Sequence, residues 1–162
     1  MQLHVEWNRP LQLRDGTKQN LIYFVDLEKV PDATGVYIFG RRWGSDFEAL
    51  YVGKGTKLRS RVNGQFNNLR LMQHIRNARS GKRILVAGTL VTKSGRATKT
   101  GTRSQKALTL TERALIRYFL SEGHDLVNKH GTRLRRHELT SSGKHPRRFI
   151  PSPMYLERAK GE

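Results

Sequence analysis

Two short runs, each pairing a tyrosine with a glycine, constrain the fold of this chain more than any other feature. They are Gly35-Val36-Tyr37 and Tyr51-Val52-Gly53. Between them one apolar run ends, a glycine, serine and aspartate follow at 44–46, and a second apolar run begins. This pattern predicts two strands joined by a turn.

Side-chain alternation predicts which way the tyrosines of this hairpin point. Successive side chains of a strand lie on opposite faces, so Tyr37 shares a face with Phe39, and Tyr51 lies opposite Leu50 and Val52. If the aliphatic residues face one core, both tyrosines emerge on the same side. The glycine of each run would leave room beside the rings for a substrate backbone. Two core tyrosines and two bend glycines are the simpler alternative, which short motifs alone do not exclude.

The composition favours a single-domain protein. A chain of 162 residues can bury a core of its own, and a hydrophobic content of 36% predicts that part of the chain is a solvated arm. The absence of cysteine excludes a disulfide scaffold, a cysteine–zinc site and a cysteine nucleophile. No apolar run reaches membrane-spanning length, and the N-terminus lacks the apolar core of a signal peptide. We therefore expect a cytoplasmic protein without a membrane partner.

The charge indicates a polyanionic partner. The net charge is +18, and the sequence pI is near 11.1, values that are typical of proteins that bind nucleic acid. Residues 1–53 carry seven acids and six bases, whereas residues 54–111 carry fourteen bases and no acid. The first carboxylate after Glu48 is Glu112. A ribosomal-type RNA-binding protein could show the same bias, so charge predicts the class of partner and not an activity.

Residues 54–56, Lys-Gly-Thr, look at first like a phosphate loop. The spacing Gly-x4-Gly-Lys-Ser/Thr is absent, so we expect neither a P-loop nor a nucleotide cofactor. Thr56 is instead predicted to cap a short helix, in which an apolar residue recurs at every fourth position from Leu58 to Phe66. Arg59 and Arg61 flank this stripe on opposite sides, and the periodicity does not choose between them.

A second helix is predicted over 68–79, with His74 at the edge of its apolar face. A lone histidine there is more often a packing or surface residue than a catalytic one. The apolar, β-branched run 84–91 predicts a strand buried on both faces. Residues 92–107 contain five bases and no apolar residue larger than alanine. They are predicted to form a long loop, which is either a wrap around a phosphate backbone or a solvated insertion.

A late helix, predicted over 110–122, places Glu112 near the middle of an apolar stripe that runs from Leu108 to Phe119. An unpaired carboxylate on such a face costs on the order of several kcal/mol. Thr109-x-x-Glu112 also fits a capping box, in which the glutamate bonds a backbone N–H of the first turn. A cap explains the spacing, but it does not explain why this glutamate is the first acid after a long basic tract.

The remaining segments flank these elements. Residues 1–34 are interpreted as an N-terminal lead-in that contains a strand or two and packs on the domain. Beyond the late helix, 125–129 is predicted to be briefly extended. Residues 131–162 are basic and rich in proline, and they are interpreted as an irregular arm with one short strand allowed around 136–139.

Taken together, these residues resemble the GIY-YIG nuclease family, whose two signatures appear with the common valine variation. Members share an arginine ten residues after the second tyrosine, a glutamate early in a later helix and an asparagine beyond it, here Arg61, Glu112 and Asn128. Lys54 matches a lysine of a subset that includes the nuclease domain of the bacterial excision-repair incision protein. His74 is a weaker match to a histidine of some homing endonucleases. Gln65 departs from the family, because many members have histidine or tyrosine there.

The resemblance implies a small α/β (α+β) fold, with a GIY-YIG-like nuclease domain over 35–130. In this domain helices flank a central three-stranded antiparallel sheet. It also implies hydrolysis of phosphodiester bonds in duplex or branched DNA, with Mg2+ as the cofactor and Mn2+ as an accepted substitute. The products would be a 5′-phosphate and a 3′-hydroxyl.

The same resemblance implies roles for single residues. Glu112 would hold the metal ion, and Arg61 would bind the scissile phosphate. Tyr37 would take the proton from the attacking water with support from Tyr51. Since a free tyrosine has a pKa of about 10, the cations near Tyr37 would have to favour its phenolate. The catalytic set is completed by Lys54, His74 and Asn128, of which the asparagine would orient the site.

These features predict a metal-dependent endonuclease of restriction, mobile-element or repair type. The alternative is a non-catalytic basic nucleic-acid-binding protein on a nuclease-like scaffold. Predicted nucleic-acid contacts are bases of the first helix, of the 92–107 loop and of the start of the arm. They are Arg59, Lys93, Arg96, Lys99, Arg103, Lys106, Arg133, Arg135 and Arg136.

Overall fold

The computed structural model describes residues 2–92, 94–98, 101–128, 134–140, 143 and 154–159, with only the backbone described for 134–138 and 155–159. The chain divides into two compact units, Met1–Asn128 and Lys129–Glu162. In the described part no helix is long and apolar enough to cross a membrane.

The described residues of the first unit form two antiparallel sheets, one of five strands and one of two, and three α-helices, in the α+β class that the sequence predicts. Its strands and helices, in chain order, are β1 (His4–Trp7), β2 (Leu11–Gln12), β3 (Arg14–Asp15), β4 (Tyr23–Phe24), β5 (Gly35–Trp43), β6 (Asp46–Gly55), α1 (Leu58–Gln65), α2 (Leu69–Asn77), β7 (Lys82–Val91) and α3 (Thr102–Ser121).

The main sheet is antiparallel and has the order β1-β7-β5-β6, with β2 also paired to β7. The three expected central strands are β5, β6 and β7, so the prediction of an antiparallel core sheet is confirmed. Two strands of the lead-in enlarge this sheet to five, which the sequence did not indicate. Because β7 and β5 occupy the middle, β6 is an edge strand.

Apolar side chains cover both faces of the sheet. On one face Tyr37, Phe39 and Leu85 pack against α1 and α2, and on the other Ile38 and Val52 pack against α3. The prediction that β7 is buried on both faces is confirmed, since its apolar side chains lie in both layers. The two tyrosines share a face, also as predicted.

Alternation fails at one position of β6. A register shift between Phe39 and Gly40 makes Leu50 an extra residue, because Tyr51 pairs with Phe39 and Ala49 pairs with Gly40. A bulge of this kind turns the following side chains by one position. Leu50 therefore joins the core on the tyrosine side, and the prediction that it shares a face with Val52 is wrong.

The first two helices match their predictions except at one cap. The predicted stripe of α1 is buried, but Thr56 does not cap this helix, because the N-cap is Lys57 and makes no side-chain bond. In α2 the side chain of Asn68 accepts the backbone N–H of Leu71, which is a regular asparagine cap.

The prediction that 92–107 is one long loop is wrong. Helix α3 begins at Thr102, where Ser104 and the backbone of Gly101 exchange hydrogen bonds, and its first turns bury Ser104 and Ala107. Glu112 consequently lies in the middle of α3 and not in its first turn. The capping-box interpretation of Thr109 and Glu112 is therefore wrong as well.

The second unit contains a two-stranded antiparallel sheet of β8 (Leu134–Leu139) and β9 (Met154–Ala159). The allowed strand around 136–139 is confirmed. The interpretation of 131–162 as wholly irregular is wrong over these two strands, since their backbones pair along their full length.

Candidate active site

A pair of phenols lies where the two signature runs meet. The rings of Tyr37 and Tyr51 are 6.0 Å apart between centroids. Tyr37 is completely buried, whereas Tyr51 is partly exposed. The side-chain amide of Gln65, at the end of α1, donates to both hydroxyls, at 2.8 Å to Tyr37 and 3.2 Å to Tyr51.

The glycines of the signatures serve this packing and leave no room for a substrate. A Cβ atom on Gly53 would overlap the ring and the hydroxyl of Tyr37. A Cβ atom on Gly35 would overlap the carbonyl oxygen of Gly88 on β7 and lie 2.9 Å from Leu58 on α1. The expectation that these glycines admit a substrate backbone is therefore wrong, because protein atoms already fill the space.

Burial raises the pKa of Tyr37 well above its usual range, and it outweighs every other influence on this group. The repulsion from Tyr51 acts in the same direction, whereas the hydrogen bond from Gln65 and the positive charge of Arg61 act against it. The expectation that neighbouring cations make Tyr37 a ready phenolate is wrong for this structure. Tyr37 is a protonated phenol.

Arg61 is the exposed arginine beside the phenols. It lies on α1, and its Cβ atom approaches the backbone of Gly55 so closely that a Cβ atom there would be 2.9 Å away. The end of β6 and the first turn of α1 therefore lie against each other. Arg59 is used differently, because its guanidinium donates to the carbonyl oxygens of Val30 and Glu28 and ties α1 to the lead-in.

Glu112 is paired with Lys54 across the other face of β6. The distance between Lys54 Nζ and Glu112 Oε2 is 2.8 Å, and the same ammonium donates to the hydroxyl of Thr109 at 3.0 Å. The glutamate side chain is 19% exposed and that of the lysine 32% exposed, so solvent reaches the pair. The negative charge of Glu112, which the sequence places on an apolar stripe, is therefore balanced by the ammonium of Lys54 on β6.

The predicted catalytic residues thus form two groups on the two faces of one edge strand. Tyr37, Tyr51 and Arg61 lie on the side of α1, and Lys54 and Glu112 lie on the side of α3. Tyr51 and Lys54 are three positions apart, which is about 10 Å along a strand. Between them the only side chain is that of Val52, since the next residue is a glycine.

The outer edge of β6 is covered by residues 124–128, which we call the edge segment. The backbone N–H of Val127 donates to the carbonyl oxygen of Leu50 at 2.9 Å. The side chain of Asn128 accepts the N–H of Val52 at 3.3 Å and donates to its carbonyl oxygen. Asn128 therefore pairs with the residue between Tyr51 and Gly53, and its expected role in orienting the site stays a prediction.

His124 provides the third contact of the edge segment. Its Nδ1 accepts the backbone N–H of Ala49 at 2.7 Å, which requires an unprotonated nitrogen. Burial lowers the pKa of His124 below its usual 6.5, although Glu48 and Glu122 act in the opposite direction.

We expect the first unit to lose stability as the pH falls below about 6.5. The lowered pKa of His124 means that the unfolded chain takes up this proton at a higher pH than the folded chain, so acid favours unfolding in that window. The stabilising effect is complete above the unfolded-state value. Urea unfolding at about pH 7 and about pH 5 measures the difference. The variant His124→Asn keeps an acceptor and does not titrate, so an unchanged pH dependence in that variant would contradict the assignment.

His74 is not part of either group. Its Nε2 is 3.0 Å from the carbonyl oxygen of Asp125, and it lines a cavity with Glu48 and Asn77. This contact joins α2 to the edge segment, which is a structural role for the residue.

The predicted nucleic-acid contacts are only partly described. Arg96 is exposed in the turn that follows β7, and Arg103 and Lys106 are exposed on the first turns of α3. Three further predicted contacts lie outside the described residues, and two lie on β8, where only the backbone is described. These are Lys93, Lys99 and Arg133, and Arg135 and Arg136, respectively.

The single carboxylate of Glu112 is compatible with a magnesium ion that takes most of its ligands from water and from the substrate. In the described ranges no three histidine, aspartate or glutamate side chains come together as a metal cluster. Mg2+ commonly binds one or two carboxylates and takes its other ligands from water and substrate phosphates. A single, partly exposed carboxylate satisfies that requirement. Structural or catalytic zinc needs three or four protein ligands, which these residues do not supply.

No family model matches this chain, and no solved structure matches it. Part of the chain is similar to UvrABC system protein C from Methanothermobacter thermautotrophicus. The identity is 48% over 63 residues, which is 37% of this chain and 10% of that protein. The chain thus matches only a small part of the length of this relative.

The contacts that three residues make in the site were not predicted from the sequence. Thr109 lies one turn before Glu112 on α3, so its helical spacing was a usable signal for a shared partner. Gln65 was noted only as a departure from the family, although its position one turn after Arg61 places it beside the phenols. His124 follows a helix end and a glycine, and no local pattern indicates that it bonds β6.

Proposed function

We propose that the chain is a metal-dependent endonuclease of the GIY-YIG type that hydrolyses DNA phosphodiester bonds. The observation that carries this proposal is the position of Glu112, held by Lys54 against the strand that also presents Tyr51. A protein that only binds phosphate has no use for a carboxylate among its bases. The similarity to UvrABC system protein C supports the proposal and favours the repair type over the restriction and mobile-element types.

Glu112 would hold Mg2+, with Mn2+ as a substitute. When bound, the ion supplies charge stabilisation at the phosphate and at the departing 3′ oxygen. Arg61 and Lys54 are the cations that bind the DNA strand at the cleaved position, one on each side of β6. The planar guanidinium suits two phosphate oxygens at once, and the ammonium acts as a point charge. In this arrangement the DNA strand crosses the edge of the protein's β-sheet at β6.

Tyr51 and not Tyr37 accepts the proton of the attacking water, and it does so as the phenolate that forms when its own outward-facing proton is released to solvent. Tyr51 is the phenol that solvent reaches, and its oxygen accepts from Gln65. Tyr37 is sealed in the core with a raised pKa, so its function is to donate toward the oxygen of Tyr51. This exchanges the roles that the family resemblance implies for the two residues.

The test is to incubate the purified protein with supercoiled, linear, branched and single-stranded DNA in Mg2+ and to map the ends. We expect cleavage that leaves a 5′-phosphate and a 3′-hydroxyl and that stops with EDTA. The DNA form that is cut fastest identifies the type of nuclease. No cleavage of any form would contradict the proposal.

A non-catalytic nucleic-acid-binding protein is the second candidate. The ion pair between Lys54 and Glu112 favours it, because the ammonium neutralises the carboxylate that a metal ion would need. This candidate predicts salt-sensitive DNA binding without nicking in Mg2+, Mn2+ or Ca2+. Nicking in any of these ions decides against it.

A further inference from the structure

We propose that Gln65 is a positioning residue, oriented by Asn68, that sets the direction of the hydrogen bonds between the two phenols. The proposal rests on the endonuclease function proposed above. Gln65 is almost completely buried, and every polar atom of its side chain has a partner. It stands where the GIY-YIG family commonly has a residue that can itself exchange protons.

The orientation of this amide follows from one unambiguous donor. The backbone N–H of Leu71 can only donate, and it bonds the side-chain oxygen of Asn68 at 3.2 Å. The other end of Asn68 is therefore its amide nitrogen, which donates to the oxygen of Gln65 at 3.2 Å. The remaining end of Gln65 is then its own amide nitrogen, which must face the phenols. No hydrogen position needs to be assumed.

The direction of the phenol hydrogen bonds follows in turn. The amide nitrogen of Gln65 has two hydrogens, and its two phenol partners both accept from it. Tyr37 cannot give its own proton to this nitrogen, and the ring of Tyr51 lies 6.0 Å away between centroids, so we infer that the proton of Tyr37 is directed to the oxygen of Tyr51. The proton of Tyr51 is left to face outward, where this side chain is exposed. The network thus stabilises negative charge on the outer oxygen, through two donors behind it.

Packing alone does not account for Gln65. An apolar side chain of similar length would fill the same volume, and burying an amide costs about 1–3 kcal/mol unless its atoms are paired. A neutral histidine or a tyrosine could supply only one donor here, and either would titrate. Glutamine supplies two donors and stays neutral. Around the phenols the charged groups are Arg61 on α1 and, across β6, Lys54 paired with Glu112, while α2 contributes apolar side chains.

Two variants test the proposal through the rate of nicking of supercoiled DNA. Gln65→Met removes both donors and keeps the volume. Asn68→Asp keeps the cap on Leu71, because aspartate caps as well as asparagine, but it presents an acceptor to Gln65 and so reverses the amide. We expect kcat to fall about tenfold or more in each, with KM nearly unchanged, because the lost bonds act on developing charge.

The matched control is Gln73→Met, an exposed glutamine of α2, which should leave kcat unchanged. Thermal unfolding of Asn68→Asp should match that of the wild type, so that a fall in kcat cannot come from lost stability. A wild-type rate in either test variant would overturn the inference while leaving the endonuclease function intact.

An NMR measurement tests the network without cleavage. The side-chain amide protons of Gln65 should shift in Tyr51→Phe and in Tyr37→Phe, with a different proton responding in each variant. If neither side-chain amide proton of Gln65 changes its chemical shift in Tyr51→Phe, the inference is overturned even when the enzyme is active. Absence of nicking by the wild type would overturn the proposed function and the catalytic role of Gln65, whatever the amide protons show.

Discussion

Replacing Glu112 by glutamine should reduce Mg2+-dependent nicking of supercoiled DNA by about a thousandfold or more. A metal ion contributes several kcal/mol of charge stabilisation at the phosphate, and about 1.4 kcal/mol corresponds to each factor of ten in rate. The neutral amide keeps the shape of the side chain and loses the charge that holds the ion. The rate is measured under single-turnover conditions at saturating DNA.

The same variant should remain folded and should still bind DNA. The substitution removes the ion pair between Lys54 and Glu112, which is partly exposed in the wild type, and such pairs contribute about 0–1 kcal/mol to stability. Removing a negative charge beside a phosphate strand does not weaken binding, so the salt-dependent affinity should be retained or slightly raised.

Glu122→Gln is the matched control, because Glu122 is exposed at the end of the same helix. It should nick at the wild-type rate. Wild-type activity in Glu112→Gln would remove the metal site from the proposal, and equal losses in both variants would show that the effect is one of net charge.

The local elements of the fold could be predicted from the sequence because their signals are short-range. Alternation defines the β5–β6 hairpin, and recurrence at every fourth residue defines α1 and α2. The common face of Tyr37 and Tyr51 follows from the same alternation. Each of these patterns is contained in a window shorter than one element.

The start of α3 could not be predicted in the same way. Residues 102–106 contain no apolar side chain, so the apolar periodicity that indicates a helix is absent there, although arginine, glutamine and lysine are good helix formers. The helix extends through them because Ser104, Ala107 and Leu108 are buried against the rest of the unit. Tertiary packing defines this end of the helix, and local apolar periodicity does not contain that information.

The sequence indicated which residues are candidates for the site, but it did not indicate how they are arranged. The pairing of Lys54 with Glu112 joins residues that are far apart in the sequence, so no spacing rule indicates it. The burial of Tyr37 depends on α1 and on Gln65, which close over the ring. Residue identity indicates which chemistry is available, and the packing decides which of the two phenols faces solvent.

Replacing Gly35 by alanine should lower the free energy of unfolding by about 3 kcal/mol or more, the largest stability effect we expect from any single methyl group in the first unit. The added Cβ atom would overlap the carbonyl oxygen of Gly88, which belongs to the backbone of the neighbouring strand and cannot rotate away. The strands β5 and β7 must separate at this point, and overpacking of a rigid core costs about 1–3 kcal/mol even where side chains can adjust.

Gly64→Ala is the matched control, and it should act in the opposite direction. Gly64 lies within α1, and no atom comes within 4 Å of the position that its Cβ atom would take. Alanine in a helix is favoured over glycine by about 0.5–1 kcal/mol, so this variant should be more stable than the wild type. Urea unfolding of both variants measures the contrast. Equal effects of the two substitutions would mean that the first signature glycine is not required for the packing of β5 against β7.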